Sequence, residues 1–294
     1  MIEIIITEND NDRRLDRFLS NKYQHLPSSL VQRWIREKRI RLNGKHQAAS
    51  TRIKAGDSIK LFVDHDKLET SSKSPCQAAP LDKELIVYED DNIIVVNKPS
   101  GLSVQPDERG GSLICQIRAY FGSNEPELCH RLDRNTSGLV VAAKNGAALR
   151  AMNEVFANRL VRKFYVCLAH GKVSPKTATL KHFLRRDLQH SKVDVFAHPV
   201  TDGKTAILHY KVIEYFEDTS LLEVELYTGR THQIRAQFAH IGHPLVGDGK
   251  YGKDVGGQKL CSYKLKFGKI DGKLSYLSGQ VFELDTNIGL FRHS

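Results

Sequence analysis

Three short stretches of the sequence combine charged, polar and constrained side chains in a way that a packed core does not require. Residues 130–138, HRLDRNTSG, place one acidic side chain between two arginines. Residues 163–165 read KFY, and residues 228–235 read TGRTHQIR. Carboxylates, imidazoles, arginines and phenols are the groups that enzymes use for acid–base chemistry, nucleophilic attack and anion binding. These stretches are therefore the candidate sites of chemistry.

Asp133 is the acidic residue of the first stretch, and Arg131 and Arg134 flank it. A nearby positive charge stabilises the ionised form of a carboxylate, which is the form that acts as a nucleophile or a base. We expect Gly138 to permit the turn from this loop into a buried strand. On these residues alone a structural ion pair or a helix cap stays open, because that is the commoner role of a single aspartate.

Arg235 belongs to the third stretch, where a glycine turn precedes a helix that we expect to begin near Thr231. Ile234 and Phe238 would face inward, and Gly242 would end the helix. Arg235 would then occupy the first helical turn, where a cation is disfavoured by the helix dipole. Its position predicts a nearby anion.

Two other chemistries are weakly supported by the sequence. His232, His240 and His243 could be read as zinc ligands, but no acidic residue or cysteine completes the set, and the cysteines occur without a C-x-x-C pair. Cys129 adjoins His130, yet neighbours in sequence rarely form the spatial pair that a thiol nucleophile needs. We predict no metal site.

The elements around these stretches predict a mixed α+β domain with a largely antiparallel sheet, because strands and helices do not alternate regularly. Apolar spacing predicts a hairpin over residues 86–96, helices at 112–121 and 146–160, and strands at 139–143, 164–169, 206–214 and 221–226. In the strand at 164–169, Phe164 and Val166 share one face, so Tyr165 points to the other.

Positive charge is concentrated near the N-terminus. Residues 11–60 carry thirteen Lys and Arg against four acidic residues, which gives +9 of the formal net charge of +10. A compact basic patch is typical of phosphate binding, and a solvated charged face is the alternative.

The basic segment has fold signals of its own. A short helix is predicted from Leu15, and a second begins at Ser28 or Ser29, either of which can cap it. Strands at 40–42 and 59–61 and an Asn43-Gly44 turn signal complete a small helical pair with a β-hairpin.

The composition predicts three segments: a basic N-terminal domain at 1–63, a polar linker at 64–80 and a larger domain at 81–294 that holds the three candidate stretches. The chain has no run of eighteen apolar residues and no basic, apolar leader at its start. We therefore expect a cytoplasmic protein that is not inserted in a membrane.

Four motifs in this order resemble the RluA family of pseudouridine synthases: VVNKPSGLSV at 95–104, HRLDRNTSGLVVAAK at 130–144, KFYV at 163–166, and LYTGRTHQIRAQFAHIGHPLVGDGKYG at 226–252. The basic segment is similar to the S4-like (alpha-L) RNA-binding module, through RRLDRFL, SSLVQRWIREKRIRLNGK and IKAGDSIKL. The first resemblance covers residues 81–294 and implies the pseudouridine synthase fold.

The resemblance to the RluA family implies a role for each of five residues. Asp133 aligns with the catalytic aspartate, Tyr165 with the tyrosine that stacks on the target base, and Arg235 with the arginine that pairs with the aspartate. Arg131 aligns with the arginine that fills the gap left by the flipped base, and Ile234 with an apolar wall of the pocket. The reaction needs no cofactor and no metal. Whether the aspartate attacks the sugar or removes a sugar proton stays open.

The resemblance also implies a structured RNA as the partner of a monomeric enzyme. Large-subunit ribosomal RNA is favoured over transfer RNA, and four arginines are the expected phosphate contacts: Arg33, Arg36, Arg39 and Arg41. A catalytically silent RNA-binding or ribosome-assembly factor is the rival from another class. A hydrolase with an aspartate nucleophile is disfavoured, because a glycosidase of the usual type needs two paired carboxylates and the motifs offer one.

Overall fold

The computed structural model describes residues 2–23, 26, 28–63, 78–106, 111–187, 190 and 192–285, without the side chains of residues 28 and 29. The chain divides into two compact units, residues 1–77 with 145–147, and residues 78–144 with 148–294. Most of the predicted linker, residues 64–77, lies outside the described ranges. The predicted domain boundaries therefore stay a prediction.

The first unit is a small α/β module. It contains β1 (Ile2–Ile5), α1 (Leu15–Lys22), α2 (Ser28–Arg36), β2 (Ile40–Leu42) and β3 (Ser58–Leu61). The strands pair antiparallel in the order β1-β3-β2. Sequence reasoning anticipated both helices, β2 and most of β3, but not β1.

The Asn43-Gly44 turn forms as predicted. Both residues have positive φ, 50° and 76°, which asparagine and glycine tolerate best. The backbone amides of Leu42 and Lys45 each donate to the other's carbonyl, at 2.9 and 3.0 Å. The turn is therefore a tight two-residue reversal directly after β2.

Helical periodicity builds the core of the first unit. Val31, Trp34 and Ile35 are buried along one face of α2 and join Leu15 and Phe18 of α1 in a single apolar cluster. This burial leaves the arginines of α2 exposed to solvent. The helix therefore has an apolar inner face and a basic outer face.

The second unit is built around one large sheet. Its helices are α3 (Leu113–Phe121), α4 (Gly146–Ala157) and α5 (Gln233–His240). Its strands are β4 (Ile86–Glu89), β5 (Ile93–Lys98), β6 (Glu127–Leu128), β7 (Ser137–Ala143), β8 (Val161–His170), β9 (Thr177–Asp187), β10 (Lys192–Phe196), β11 (Lys204–Tyr215), β12 (Thr219–Leu226), β13 (Leu260–Phe267) and β14 (Val281–Glu283). No helix in the described ranges is long and apolar enough to cross a membrane.

The strand order of this sheet is β10-β9-β11-β12-β8-β13-β7-β5-β4, with β14 beside β13 and β6 beside β7. Among the described strand pairs, β7 and β13 run parallel and the others antiparallel. The predicted α+β class with a largely antiparallel sheet is confirmed. β8 and β7 are central strands, and both lead to the predicted site residues.

Several elements differ from the sequence expectation. The helix predicted at 146–160 ends at Ala157, and five strands of the large sheet were not predicted: β6, β9, β10, β13 and β14. The strand β9 carries polar or charged side chains at most positions and is largely exposed or only partly buried, so the short alternation through Ala178 and Leu180 gives only a weak strand signal. Its pairing with β10 and β11 forms the strand instead.

Gly138 lies inside β7 and not in the turn that we expected it to permit. Its φ of 109° belongs to the glycine region. A Cβ atom there would lie 2.2 Å from the carbonyl oxygen of Ser262 on β13. The close approach of two parallel strands, together with the backbone conformation, therefore requires glycine at this position.

We predict that Gly138→Ala destabilises the protein by more than about 3 kcal/mol, because the methyl group meets backbone that cannot rotate away. Urea unfolding would measure the loss. Two control variants separate the two causes of this loss, the clash of the added methyl group and the strain of a positive φ. Gly242 has a φ of 84° but open space around the position of a Cβ atom, so Gly242→Ala should destabilise the protein by about 1 kcal/mol. Gly111 has neither a positive φ nor a close neighbour, so Gly111→Ala should be near neutral. Equal stability of the Gly138 and Gly111 variants would contradict the interpretation that position 138 requires glycine.

Candidate active site

A cavity of about 230 Å³ opens where the three chemistry-bearing stretches meet. All five residues that the sequence assigned to the site line it: Arg131, Asp133, Tyr165, Ile234 and Arg235. They come from the loop between β6 and β7, from β8 and from the first turn of α5. The structure thus brings together side chains that lie up to about a hundred positions apart in the chain.

The loop that carries Asp133 is held from both sides. Leu132 is 5% exposed and packs into the main core. The carbonyl of Asp133 accepts a hydrogen bond from the amide of Thr136 at 3.1 Å. The side chain of Gln258 in turn donates to the hydroxyl of Thr136, also at 3.1 Å. The carboxylate of Asp133 is therefore presented by a fixed turn.

Arg235 faces Asp133. Its Nη1 donates to Oδ2 of Asp133 at 3.2 Å. Arg235 lies in the first turn of α5, as predicted, and its side chain is 9% exposed. The anion that its position implied is thus present in the structure.

Asp248 is the second and stronger partner of Arg235, and sequence reasoning missed it. Nε and Nη2 of Arg235 donate to the two carboxylate oxygens of Asp248 at 2.7 and 2.8 Å. The amides of Lys250 and Tyr251 also donate to Oδ1, at 3.0 and 3.2 Å. Asp248 is fully buried, so this bidentate pair is shielded from water.

Burial and charge pairing shift the pKa values of Asp248 and Arg235 in opposite directions. Burial favours the neutral form of each, but the hydrogen bonds and the attraction between the charges outweigh it. The pKa of Asp248 therefore lies below its usual value, and the pKa of Arg235 lies above its own. Both side chains are charged in the folded protein.

His232 and Tyr251 form a further layer behind the ion pair. The ring of Tyr251 lies 5.2 Å from the guanidinium of Arg235. Its Oη accepts from the amide of Val193 at 2.9 Å and lies 2.9 Å from Nδ1 of His232. Nε2, the other ring nitrogen of His232, faces Oδ2 of Asp133 at 3.8 Å.

Tyr165 points towards the main core, as the alternation of β8 predicted. It is 6% exposed and belongs to the cluster that holds Ile234, whereas Phe164 and Val166 pack in another cluster. Burial raises the pKa of Tyr165 to about 12, so its phenol is neutral. It presents a flat aromatic surface to the cavity.

Lys98, at the end of β5, ties the upstream motif to the loop of Asp133. It is fully buried, and its Nζ donates to the carbonyls of Pro99, Leu102 and Arg134 at 2.8, 2.9 and 2.8 Å. Burial lowers its pKa to about 8. Sequence reasoning assigned Lys98 no role. The feature that could have indicated one is a lysine at the end of a buried strand, within the motif VVNKPSGLSV.

A wider groove of about 800 Å³ adjoins the cavity and shares Arg131, Asp133 and Arg235 with it. Five cationic side chains line the groove: Arg131, Arg134, Lys192, Arg235 and Lys250. Cations along an open groove beside a narrow cavity suit a nucleic-acid backbone that leads to a single base.

The two alternative chemistries find no support in the geometry. His240 packs against His182 at 4.9 Å between ring centres, and Nδ1 of His243 contacts the carbonyl of His170 at 2.8 Å, so neither joins His232. Among the residues that the structure describes, no three His, Cys, Asp or Glu side chains are arranged to hold a metal.

Cys129 and His130 do not form a catalytic pair. Burial raises the pKa of the Cys129 thiol to about 12, so the thiolate is absent at neutral pH. Nε2 of His130 accepts a hydrogen bond from the amide of Val141 at 3.1 Å. Burial and the nearby Lys163 lower the pKa of His130 to about 3, so its ring is neutral.

The four arginines predicted to contact RNA are all exposed. Arg33 and Arg39 both contact the carboxylate of Glu37, at 2.7 and 3.0 Å. The guanidinium of Arg41 lies 5.0 Å from the ring of Phe62. Their contact with phosphate stays a prediction.

Known proteins share both the sequence pattern and the fold. A family model described as RNA pseudouridylate synthase matches residues 92–240, and one described as S4 domain matches residues 13–59. The chain is 34% identical over 281 residues to the uncharacterised RNA pseudouridine synthase YlyB of Bacillus subtilis, over 90% of this chain and 89% of that protein.

The chain is also 32% identical over 261 residues to the ribosomal large subunit pseudouridine synthase C of Vibrio parahaemolyticus, over 84% of this chain and 79% of that protein. The solved structure of human RNA pseudouridylate synthase domain containing 1 matches with a TM-score of 0.55 at 24% identity, over 70% of this chain and 92% of that one. This last match is a likeness of fold.

We predict that Asp248→Asn destabilises the protein by about 3 kcal/mol or more at neutral pH, because it leaves Arg235 buried without its main counter-charge. The pKa of Asp248 is lowered by folding, so its contribution is complete above its ordinary pKa of 3.8. The contribution is lost as the pH falls through the lower folded value. Urea unfolding across pH should show the two proteins converging in acid.

Glu225→Gln is the matched control for this prediction. Arg162 also binds Glu225 in bidentate fashion, at 2.7 and 2.9 Å, but the Arg162 side chain is 54% exposed. The Glu225 side chain is 12% exposed, but the arginine that loses its partner stays in contact with water, so the loss should be about 1 kcal/mol at most. If Glu225→Gln destabilised the protein as much as Asp248→Asn, burial of the ion pair would not explain the cost of Asp248→Asn.

Proposed function

The chain belongs to the family of RNA pseudouridylate synthases and carries an S4 domain, and from this premise we propose that it isomerises specific uridines of large-subunit ribosomal RNA, with Asp133 as catalytic carboxylate and without a cofactor. RNA is the partner of such an enzyme. We also propose that the enzyme is a monomer and acts in the cytoplasm.

The observation that carries the proposal is the position of Asp133. Its Oδ2 lies 3.2 Å from Nη1 of Arg235, in a cavity that Tyr165 also lines. Arg235 is itself fixed by Asp248, so it holds the carboxylate without a cost of reorganisation during the reaction. A charged, positioned carboxylate beside a flat aromatic ring is what a reaction at the sugar of an everted uridine requires.

The size and lining of the cavity suit one pyrimidine. A volume of about 230 Å³ corresponds to roughly eight waters at about 30 Å³ each, which is enough room for one pyrimidine base. We assign the stacking surface to Tyr165 and the apolar wall to Ile234. Base eversion costs a few kcal/mol, and stacking on an aromatic ring offsets about 1–3 kcal/mol of it. Arg131, exposed at the rim, would fill the space that the base leaves.

The chemistry of the isomerisation needs few groups. The bond from the sugar to N1 of uracil breaks, the base rotates, and a bond from the sugar to C5 forms, with no net oxidation or hydrolysis. Asp133 would either attack the anomeric carbon or remove a sugar proton. Each route uses an ionised carboxylate that Arg235 holds in a cavity with little water, and neither uses a metal.

Two observations favour ribosomal RNA over transfer RNA. Relatives at 31–33% identity are named ribosomal large subunit pseudouridine synthase C, and the S4 domain carries most of the net positive charge of the chain. Pseudouridine maps of ribosomal and transfer RNA from cells with and without the gene would test the choice. Sites that vanish only from transfer RNA would overturn it.

A catalytically silent RNA-binding factor is the rival function. A retired site has no physical reason to keep Asp133, buried Arg235 and buried Asp248 in one network, because charges taken out of water destabilise a protein unless they are well paired. Incubation of the protein with deproteinised ribosomal RNA, followed by pseudouridine mapping, separates the two.

We predict that Asp133→Asn abolishes pseudouridine formation and leaves the fold and RNA binding nearly intact, because the change keeps the shape of the side chain and removes its charge. A tritium-release or mapping assay measures the activity. Asp271→Asn is the matched control, since Asp271 is exposed and its side chain makes no cap hydrogen bond. Appreciable turnover by Asp133→Asn would rule out the catalytic assignment.

We predict that simultaneous replacement of Arg33, Arg36, Arg39 and Arg41 by glutamine weakens RNA binding and flattens its salt dependence. The slope of log K against log salt should fall by roughly 0.7–0.9 for each phosphate contact that is lost. Filter binding over a range of salt concentrations measures it. The rate at saturating RNA should not change, and an unaltered slope would contradict the role of these arginines.

A further inference from the structure

Lys163 is a cation on the wall of the same cavity. It precedes Tyr165 by two residues on β8, so both side chains lie on one face of the strand. Leu226, its neighbour across the sheet, and Gly229 also line the cavity. A Cβ atom on Gly229 would lie 3.5 Å from Nζ of Lys163, which puts the ammonium group at the cavity wall.

Lys163 has no acceptor for its charge in the part of the chain that the structure describes. Its Nζ forms no hydrogen bond or ion pair there, and the charged group that faces it is Arg159. The adjacent Arg162, on the other face of β8, is bound by Glu225. Arg235 is likewise committed to two aspartates.

A partly buried ammonium without an acceptor is unfavourable. Burial, with a smaller contribution from Arg159, lowers the pKa of Lys163. Such a group indicates an anion that arrives with the substrate or forms from it. Lys163 lines the smaller cavity and not the adjoining cationic groove, so the anion belongs to the base and not to the backbone phosphates.

The proposed reaction generates that anion. When the bond between the anomeric carbon and N1 breaks, its electron pair leaves with the uracil. The detached base carries a negative charge that is shared among N1, O2 and O4. After rotation, C5 forms the new bond to the sugar, the C5 proton is lost, and N1 takes up a proton. The charge on the base arises whether Asp133 attacks the sugar or removes a sugar proton.

We propose that Lys163 is a catalytic residue that stabilises the negative charge of uracil while the base is detached from its sugar. The proposal rests on the function proposed above. A fixed cation at the place where charge develops acts in the transition state more than in the ground state. It therefore affects the rate of bond cleavage more than the binding of RNA.

The first test is Lys163→Met, which keeps the length of the side chain and removes the charge. Single-turnover kinetics should show a rate lower by about 100-fold or more, the typical effect of losing one donor to a developing anion. RNA affinity and its salt slope should stay unchanged, and Lys163→Arg should restore part of the rate. Thermal stability should not fall, because the variant removes an unpaired buried charge.

Arg162→Met is the matched control, since it removes a cation from the opposite face of the same strand. It should keep the single-turnover rate of the unmodified protein. A purely structural role for Lys163 predicts instead that Lys163→Met unfolds at lower temperature and that the rate returns when the protein is assayed in the cold.

The decisive test varies the leaving group. Fluorine at C5 stabilises the uracil anion, so RNA with 5-fluorouridine at the target should depend less on Lys163. We expect the loss caused by Lys163→Met, measured as cleavage of the bond to N1, to shrink at least tenfold with this substrate. An equal loss with both substrates would overturn the proposal, as would weaker RNA binding with a flatter salt slope, which marks a phosphate contact.

The two proposals fail in different ways. If the unmodified protein forms no pseudouridine in any ribosomal or transfer RNA, the proposed function is wrong. If it does form pseudouridine and Lys163→Met retains the full rate, only the role of Lys163 is wrong.

Discussion

The buried ion pair between Arg235 and Asp248 is the interaction on which the site depends. Asp248 is fully buried and takes up Nε and Nη2 of the guanidinium, so the planar side chain has one orientation. That orientation leaves Nη1 directed at Asp133. A lysine could not replace it, because an ammonium group has no fork of donors with fixed directions. The pair thus converts a buried charge, which is costly by itself, into a fixed electrostatic environment for the carboxylate.

The large sheet supplies the rest of the geometry by holding the loop of Asp133 against β5 and β13. Lys98 binds three carbonyls, one of them in that loop, and Gly138 lets β7 approach the backbone of Ser262. Both features act on backbone and not on substrate. Positions of this kind fix a catalytic side chain to within fractions of an ångström, which positioned catalysis requires.

Arg235 and Lys163 are two of the four Lys and Arg side chains that line the cavity, and their surroundings differ. Arg235 binds the carboxylates of Asp133 and Asp248 and holds the first of them in place. Lys163 has no acceptor among the described residues, and in our proposal it pairs with a negative charge only during the reaction. The groove outside adds further cations, exposed at Arg131 and Lys192 and half-buried at Arg134 and Lys250, that suit phosphates. In these proposals, different side chains provide the affinity for RNA and the stabilisation of the reacting base, so salt should weaken the first far more than the second.

The sequence by itself determined the local features. Strand alternation gave the direction of Tyr165, helical spacing put Arg235 in the first turn of α5, and Asn43-Gly44 formed the expected turn. Only the tertiary structure decided which charges meet. Asp248 follows Arg235 by thirteen residues, across a turn that no periodicity describes, and β9 forms through pairing with neighbours that its own polar sequence does not announce. Local periodicity reports the face on which a side chain lies, whereas the partner on that face is set by strand order and loop path, which are properties of the whole chain.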